Sequence, residues 1–221
     1  MSRMPLHLGI IPDGNRRWCK LNDKTQMEYS IIIRNMLQNV FDEYNNNKDR
    51  EDYDLQYPEF KNITEISVYI LSKDNIMKRD KTVVDLIEKT MDLVCTLMST
   101  PDFQDTIKLD IIGDPTLLPL KAQEQIQKCV ALSSGTFPIH LAVGYDPIDD
   151  SALYLSQGVE TRTQIDLVVR SGGQLRSSGF FPLQILYSEW VYFDDLWPDM
   201  TREHIHDAII EFKNRQRNFG K

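Results

Sequence analysis

Five short apolar runs punctuate the chain, each closed off by Gly, Pro, Asp or Ser: Leu6 to Ile11, Ile63 to Leu71, Lys108 to Ile112, Ile139 to Val143 and Ile165 to Val169. Such runs predict strands. Between them the spacing turns helical. Ile32, Met36, Val40 and Tyr44 recur at every fourth position within Met27 to Tyr44, and helical spacing also marks Thr82 to Met98 and Pro119 to Leu132. Thr201 is a suitable N-cap for a last helix to about Asn218, with Ile205, Ile209 and Phe212 on one face. Strands alternating with helices predict an α/β fold with a central, mostly parallel sheet flanked by helices. Ligands of such sheets bind beyond the carboxyl ends of the strands. The segment Asn45 to Asn62 is polar, acidic and aperiodic, which predicts a solvated surface loop.

Composition narrows the class. The 221 residues carry 25 Lys+Arg against 33 Asp+Glu, a net charge of −8, which argues against a nucleic-acid partner because that affinity rests on clustered cations. With 41% hydrophobic and 26% charged residues, one globular domain over 1–221 is expected. No apolar run approaches the roughly 18 residues of a transmembrane segment. The opening MSRMPLHLGIIPDGN meets Pro and Asp too early for a secretory signal, so a cytosolic protein is expected. Cys19, Cys95 and Cys129 are odd in number and lack C-x-x-C spacing; buried reduced thiols are expected, not a disulfide framework or a zinc site.

Candidate chemistry gathers where strands end. The first strand runs into Pro12-Asp13-Gly14-Asn15-Arg16-Arg17-Trp18 at a strand-to-helix junction, where backbone N–H groups and a helix start suit a phosphate. Gly14 permits close approach, Arg16 and Arg17 add charge, and Asp13 is placed to hold Mg²⁺ alongside the phosphate. Asp-Gly-Asn is equally an ordinary turn signature. After the last predicted strand, Arg170-Ser171-Gly172-Gly173-Gln174-Leu175-Arg176-Ser177-Ser178-Gly179 sets two arginines on a Gly/Ser-rich loop, and guanidinium forks match phosphate oxygens. Two such loops on one sheet edge predict a phosphate-bearing substrate or substrate pair. Glu189, in the apolar-rich stretch Phe180 to Trp190, is either a second metal ligand or a surface glutamate; periodicity does not separate the two. The four histidines show no metal-ligand pattern, and no Gly-x-Ser-x-Gly, Walker-type or dinucleotide fingerprint is present.

The stretch from His7 to Trp18, H-L-G-I-I-P-D-G-N-R-R-W, resembles the H-x-x-x-I-M-D-G-N-G-R-W signature of the cis-prenyltransferases, the undecaprenyl diphosphate synthase family. Asp166 to Arg176, then Tyr187-Ser-Glu189 and Leu196 to Asp199, are similar to that family's D-L-x-I-R-T-G-G-E-x-R, Y-x-E and L-W-P-D blocks, in the same order. Tyr69 to Asn75 resembles its Y-A-F-S-x-E-N block and Ile111 to Asp114 its I-I-G-D. The resemblance implies a Mg²⁺-dependent homodimer acting on prenyl diphosphates. It places an allylic diphosphate over Gly14, Asn15, Arg16 and Arg17, and a second diphosphate on Arg170, Arg176 and Ser178. It also implies that Asp13 and Glu189 serve Mg²⁺, and that Asn15 and Ser72 sit near the reacting carbon and the departing proton. Met27, Met36, Phe41, Leu71 and Ile76 are candidates to line a dry cavity for the prenyl chains. On this reading Asp13→Ala abolishes turnover and leaves the fold intact.

Several positions depart from the family pattern. Its G-H motif is replaced by Thr25-Gln-Met-Glu28-Tyr29-Ser30, its S-E-N-W aromatic by Ile76, and the acidic position of R-T-G-G-E by Gln174. L-L-W-Q has become Phe181-Pro182-Leu183-Gln184, and the C-terminal R-x-G appears as Asn218-Phe219-Gly220 with Arg217 one place early. Between Tyr145 and Ile165 the chain is shorter than in the long-chain enzymes, and a helix is expected to be missing there. A short product follows. Glu28-Tyr29 and Ser178 to Leu183 are more similar to the lavandulyl and cyclolavandulyl diphosphate synthase branch, which joins two dimethylallyl units head-to-middle.

Overall fold

The computed structural model describes residues 5–24, 57–78, 95–96, 99–157 and 163–216. The strands are Leu6–Ile11 (β1), Ile63–Ser72 (β2), Ile107–Ile112 (β3), Phe137–Tyr145 (β4), Leu167–Arg170 (β5) and Glu189–Tyr192 (β6). They form one sheet in the order β3-β4-β2-β1-β5-β6 with every neighbouring pair parallel. All five predicted strands are present. The sixth, β6, was not predicted: Glu-Trp-Val-Tyr buries only Val191 fully, because an edge strand needs no continuous apolar run.

The helices are Asn15–Leu21 (α1), Lys73–Lys78 (α2), Pro101–Thr106 (α3), Leu120–Leu132 (α4), Pro147–Gln157 (α5) and Arg202–Asn214 (α6). The predicted helices over 27–44 and 82–98 lie outside the described residues, apart from Cys95 and Thr96. On one sheet face, Leu8, Ile10, Ile66 and Val169 share a core with Ile126 of α4 and with Ile205, Ile209 and Phe212 of α6. Each such fully buried side chain contributes about 1.5–3 kcal/mol. On the other face, Ile11, Ala142, Tyr145 and Val168 pack with Phe180 and Phe181.

Three expectations are corrected. Thr201 does cap α6, in a box where Thr201 N donates to His204 Nδ1 at 3.0 Å. The helix nevertheless stops at Asn214 because Arg215 turns extended and donates to Glu189 Oε2 (2.8 Å) and Trp190 O (3.0 Å) on β6. A helix does occupy the stretch after Tyr145. Pro147 opens α5, and Asp146 Oδ1 accepts from the N–H groups of Ile148 and Asp149, an ordinary cap that the short segment length concealed. The 45–62 stretch is not solvated throughout: Pro58–Asn62 forms a 3-10 turn that buries Phe60 in the core.

The cysteines require a further correction. Cys95 and Cys129 form a disulfide with Cα atoms 5.1 Å apart, while Cys19 is buried and outside the bridge. Cysteines separated by 34 positions meet because Cys129 lies on the buried face of α4, and no local spacing rule registers that. Disulfides persist mainly in oxidising compartments, so the bridge weighs against the cytosolic expectation. Maleimide labelling of the denatured protein is expected to modify one cysteine before reduction and three after it; three labels without reductant would refute the bridge. Among the described residues, no helix is long and apolar enough to cross a membrane.

A polar row, buried except at Asp110, crosses the amino-terminal half of the sheet. His7 Nε2 lies 2.9 Å from Ser67 Oγ, and His140 lies 2.8 Å from Glu65 Oε1 and 3.3 Å from Asp110 Oδ2. Burial pushes the His7 imidazole down to about 4. Burial also opposes the charge on His140, but hydrogen bonds to Asp110 and Glu65 outweigh it and raise that pKa. The signs are opposite. His7 is neutral in the fold and takes a proton more readily when unfolded, so its contribution is present above about pH 6.5 and lost as pH falls towards 4. The His140 contribution is complete below 6.5 and is lost as pH rises through its raised value. Urea unfolding is therefore expected to show a loss on the order of 2–3 kcal/mol between pH 6.5 and 4.5, absent in His7→Gln.

Candidate active site

The carboxyl ends of β1, β2 and β5 surround a cleft of about 460 Å³. Both predicted anion loops line it. Asp13, Gly14, Asn15, Arg16 and Arg17 form one wall, Arg170, Arg176 and Ser178 another, and Ser72 a third. Glu189 is the exception. It opens β6 in register with Leu167, three residues before the level of Arg170, and pairs with Arg215 at 2.8 Å. The parallel register that carries Arg170 to the cleft thus leaves Glu189 at the far end of its strand, and within one chain it does not join Asp13.

Gly14 makes the junction possible. It takes φ +102° between β1 and α1, and a Cβ there would lie 2.7 Å from Leu196 Cδ2 and 3.1 Å from Leu196 Cα. Its N–H donates to Asp13 Oδ1 at 2.6 Å. The main-chain oxygen of Asp13 accepts from Ser171 Oγ (2.8 Å) and Trp197 N (3.0 Å), which fixes the strand end. The carboxylate then spans the site. Arg170 Nη2 donates to Asp13 Oδ2 at 2.8 Å, and Arg17 Nη2 lies 3.7 Å from Oδ1. Arg17 Nη2 also donates to Gly172 O at 2.8 Å. A side chain at Gly172, which holds φ +84°, would meet that same guanidinium at 2.6 Å.

Arg170 is 3% exposed although it carries a permanent charge, and a buried cation is tolerated only with partners. Besides Asp13, it donates through Nη1 to Ser178 Oγ at 2.9 Å and to the carbonyl of Arg176. These bonds revise the expectation for Asp13→Ala: the carboxylate neutralises a buried guanidinium, so its loss also weakens the fold. Two buried polar atoms without partners belong to this site, Asn15 Oδ1 and Arg170 Nε. Asn15 Nδ2 is already committed to Pro12 O at 2.8 Å. Leaving such a group unmet costs about 1–3 kcal/mol, which a bound donor removes at Asn15 Oδ1 and a bound acceptor at Arg170 Nε.

The carboxyl end of β2 reaches the cleft through an irregularity. The β2–β4 register shifts between Tyr69 and Leu71 and again before Ser72, so Tyr69, Ile70, Leu71 and Ser72 all line the cleft, whereas a regular strand would alternate. Ser72 Oγ accepts from Asn75 N at 3.1 Å and so caps α2. Of the proposed prenyl-cavity residues, Leu71 reaches the cleft and Ile76 packs against the core; Met27, Met36 and Phe41 lie outside the described residues. Tyr69, Ser171 and Gly172 are site residues that sequence reasoning did not single out. Ser171 acts through its hydroxyl on the Asp13 carbonyl and Gly172 through its own carbonyl to Arg17, contacts with main-chain partners that no local pattern marks.

The model of the undecaprenyl diphosphate synthase family matches residues 11–152 and 146–220. A tritrans,polycis-undecaprenyl-diphosphate synthase (geranylgeranyl-diphosphate specific) of Aeropyrum pernix is 31% identical over 229 residues, covering 98% of this chain and 99% of that protein. A ditrans,polycis-undecaprenyl-diphosphate synthase ((2E,6E)-farnesyl-diphosphate specific) of Shewanella oneidensis is 28% identical, covering 98% and 83%. Among solved structures, lavandulyl diphosphate synthase from Lavandula x intermedia, in complex with dimethylallyl diphosphate, superposes with a TM-score of 0.75 over 99% of both chains at 24% identity, a likeness of fold. Taken with the two anion loops on one sheet edge, these end-to-end matches place the chain in the undecaprenyl diphosphate synthase family, and it is a cis-prenyltransferase.

Proposed function

We propose that this enzyme ionises a short allylic prenyl diphosphate, dimethylallyl or similar, and joins it head-to-middle to a second prenyl unit, giving a short lavandulyl-type diphosphate. The observation that carries the reading is the Asp13–Arg170 pair at 2.8 Å, which ties the first anion loop to the second inside one cleft. In the reaction the allylic carbon–oxygen bond breaks and pyrophosphate leaves with the electron pair. The cationic carbon then takes the π electrons of the second unit's alkene, and a proton departs. The first step needs negative charge stabilised where it develops, and cations fixed in advance do this without reorganising. Arg16, exposed and without an ion pair among the described residues, and Arg17 face the first diphosphate. Arg170, Arg176 and Ser178 hold the second. Asn15 and Ser72 flank the reacting carbon and the proton to be lost.

The donor set fits Mg²⁺, which takes one or two carboxylates and completes its shell with phosphate oxygens and water. Asp13, 30% exposed, is the carboxylate that one chain supplies to the cleft, while Glu189 pairs with Arg215 in that chain. When bound, the ion supplies Lewis-acid stabilisation of the departing diphosphate. A short product is supported by the fully buried Tyr145, Phe180 and Phe181, which fill the sheet face next to the cleft with rings at centroid distances of 4.8–5.0 Å. The proposal includes a homodimer. Exposed Leu186 and Tyr187, beside edge strand β6, offer it apolar surface.

Mass spectrometry of products tests this. Dimethylallyl diphosphate alone is expected to give a ten-carbon irregular diphosphate. Product only when isopentenyl diphosphate is added would instead assign regular head-to-tail coupling. Consumption of geranyl or neryl diphosphate alone, with no coupling of five-carbon units, would assign a terpene cyclase.

A further inference from the structure

One uncharged cleft-lining side chain of β2 bonds across to the 176–181 wall. Tyr69 donates its hydroxyl hydrogen to the carbonyl of Ser178 at 3.2 Å. Ser72, at the end of the same strand, lines the same cleft, and its Oγ accepts from Asn75 N. A continuous path therefore runs from Tyr69 through the Ser178 main chain to Ser178 Oγ, which meets Arg170 at 2.9 Å.

Ser178 needs such a hold. It sits at φ +52°, a left-handed conformation that costs a non-glycine residue free energy and persists only when its surroundings impose it. Tyr69 is itself fixed, with its ring 5.7 Å from both Tyr145 (edge-on) and Phe180. The register break after Tyr69 lets it and Ser72 face the same cleft.

We propose that Tyr69 is a positioning residue of the second diphosphate subsite, holding the Ser178 backbone so that Ser178 Oγ and Arg170 present a fixed pair to the anion. Burial raises the Tyr69 phenol above its ordinary value, which keeps the donor protonated. The inference rests on the diphosphate reading of the cleft.

Isothermal titration with inorganic pyrophosphate and Mg²⁺ separates the two. Wild-type protein that binds no pyrophosphate would overturn the diphosphate reading, and this inference with it. Given wild-type binding, Tyr69→Phe, which keeps the ring and its packing, is expected to weaken pyrophosphate about three- to tenfold, the effect of one neutral hydrogen bond. The thermal midpoint should stay unchanged. In a Ser178→Ala background the same substitution should cause no further loss, because its effect passes through Ser178 Oγ. Unaltered binding in Tyr69→Phe, losses that simply add in the double variant, or weakened binding with a lowered midpoint would each refute the positioning role.

Discussion

Arg170→Met is expected to reduce turnover by about 10²–10³-fold and to lower stability by about 2 kcal/mol. The two losses have separate origins. Turnover falls because the guanidinium that meets Asp13, Ser178 and the Arg176 carbonyl is the fixed cation of the second anion loop, and methionine supplies shape without charge. Stability falls less than the roughly 3–5 kcal/mol typical of breaking a buried pair. Arg170 is buried at 3% exposure, but Asp13 is 30% exposed and regains water once its partner is gone. Arg170→Lys keeps the charge but cannot divide its donors between Asp13 and Ser178 as a planar fork does, so stability should recover more than turnover. Product formation under single-turnover conditions and urea midpoints check both quantities. A methionine variant with near-normal turnover would remove Arg170 from the chemistry.

The sheet was legible because buried parallel strands write themselves as apolar runs, and the runs ending at Ile11 and Val169 carry the loops of the site at their carboxyl ends. Those loops were legible as well, since arginines and glycines at strand ends have few structural duties that explain them. What escaped depends on relations no local window contains. β6 became a strand because Leu167 to Arg170 offers it a partner, although its own residues are mixed. Cys95 and Cys129 required the packing of α4. Glu189 does not line the cleft within one chain, because a motif fixes order along the chain whereas reach depends on register, and three strand residues amount to about 10 Å. Tyr69 was visible as a letter in a block, but its use arises from the register shift at the end of β2.

The largest expected effect is at Asp13, where charge, metal affinity and fold meet in one carboxylate. Asp13→Ala should reduce Mg²⁺-dependent turnover by at least about 10³-fold, since it removes the carboxylate placed to hold the ion and the counter-charge that orients Arg170. It should also cost about 2–3 kcal/mol, because a guanidinium at 3% exposure is left without an anion and cannot rehydrate as Asp13 can. Asp13→Asn can still accept from Gly14 N, so part of the stability returns while turnover stays low. The decisive comparison is the double variant Asp13→Ala with Arg170→Met. Removing the orphaned cation should restore stability relative to Asp13→Ala alone, a coupling expected of residues in direct contact, yet restore no turnover. Strictly additive stability losses would mean that the 2.8 Å pair does not hold these loops together, and the site would need a different physical basis.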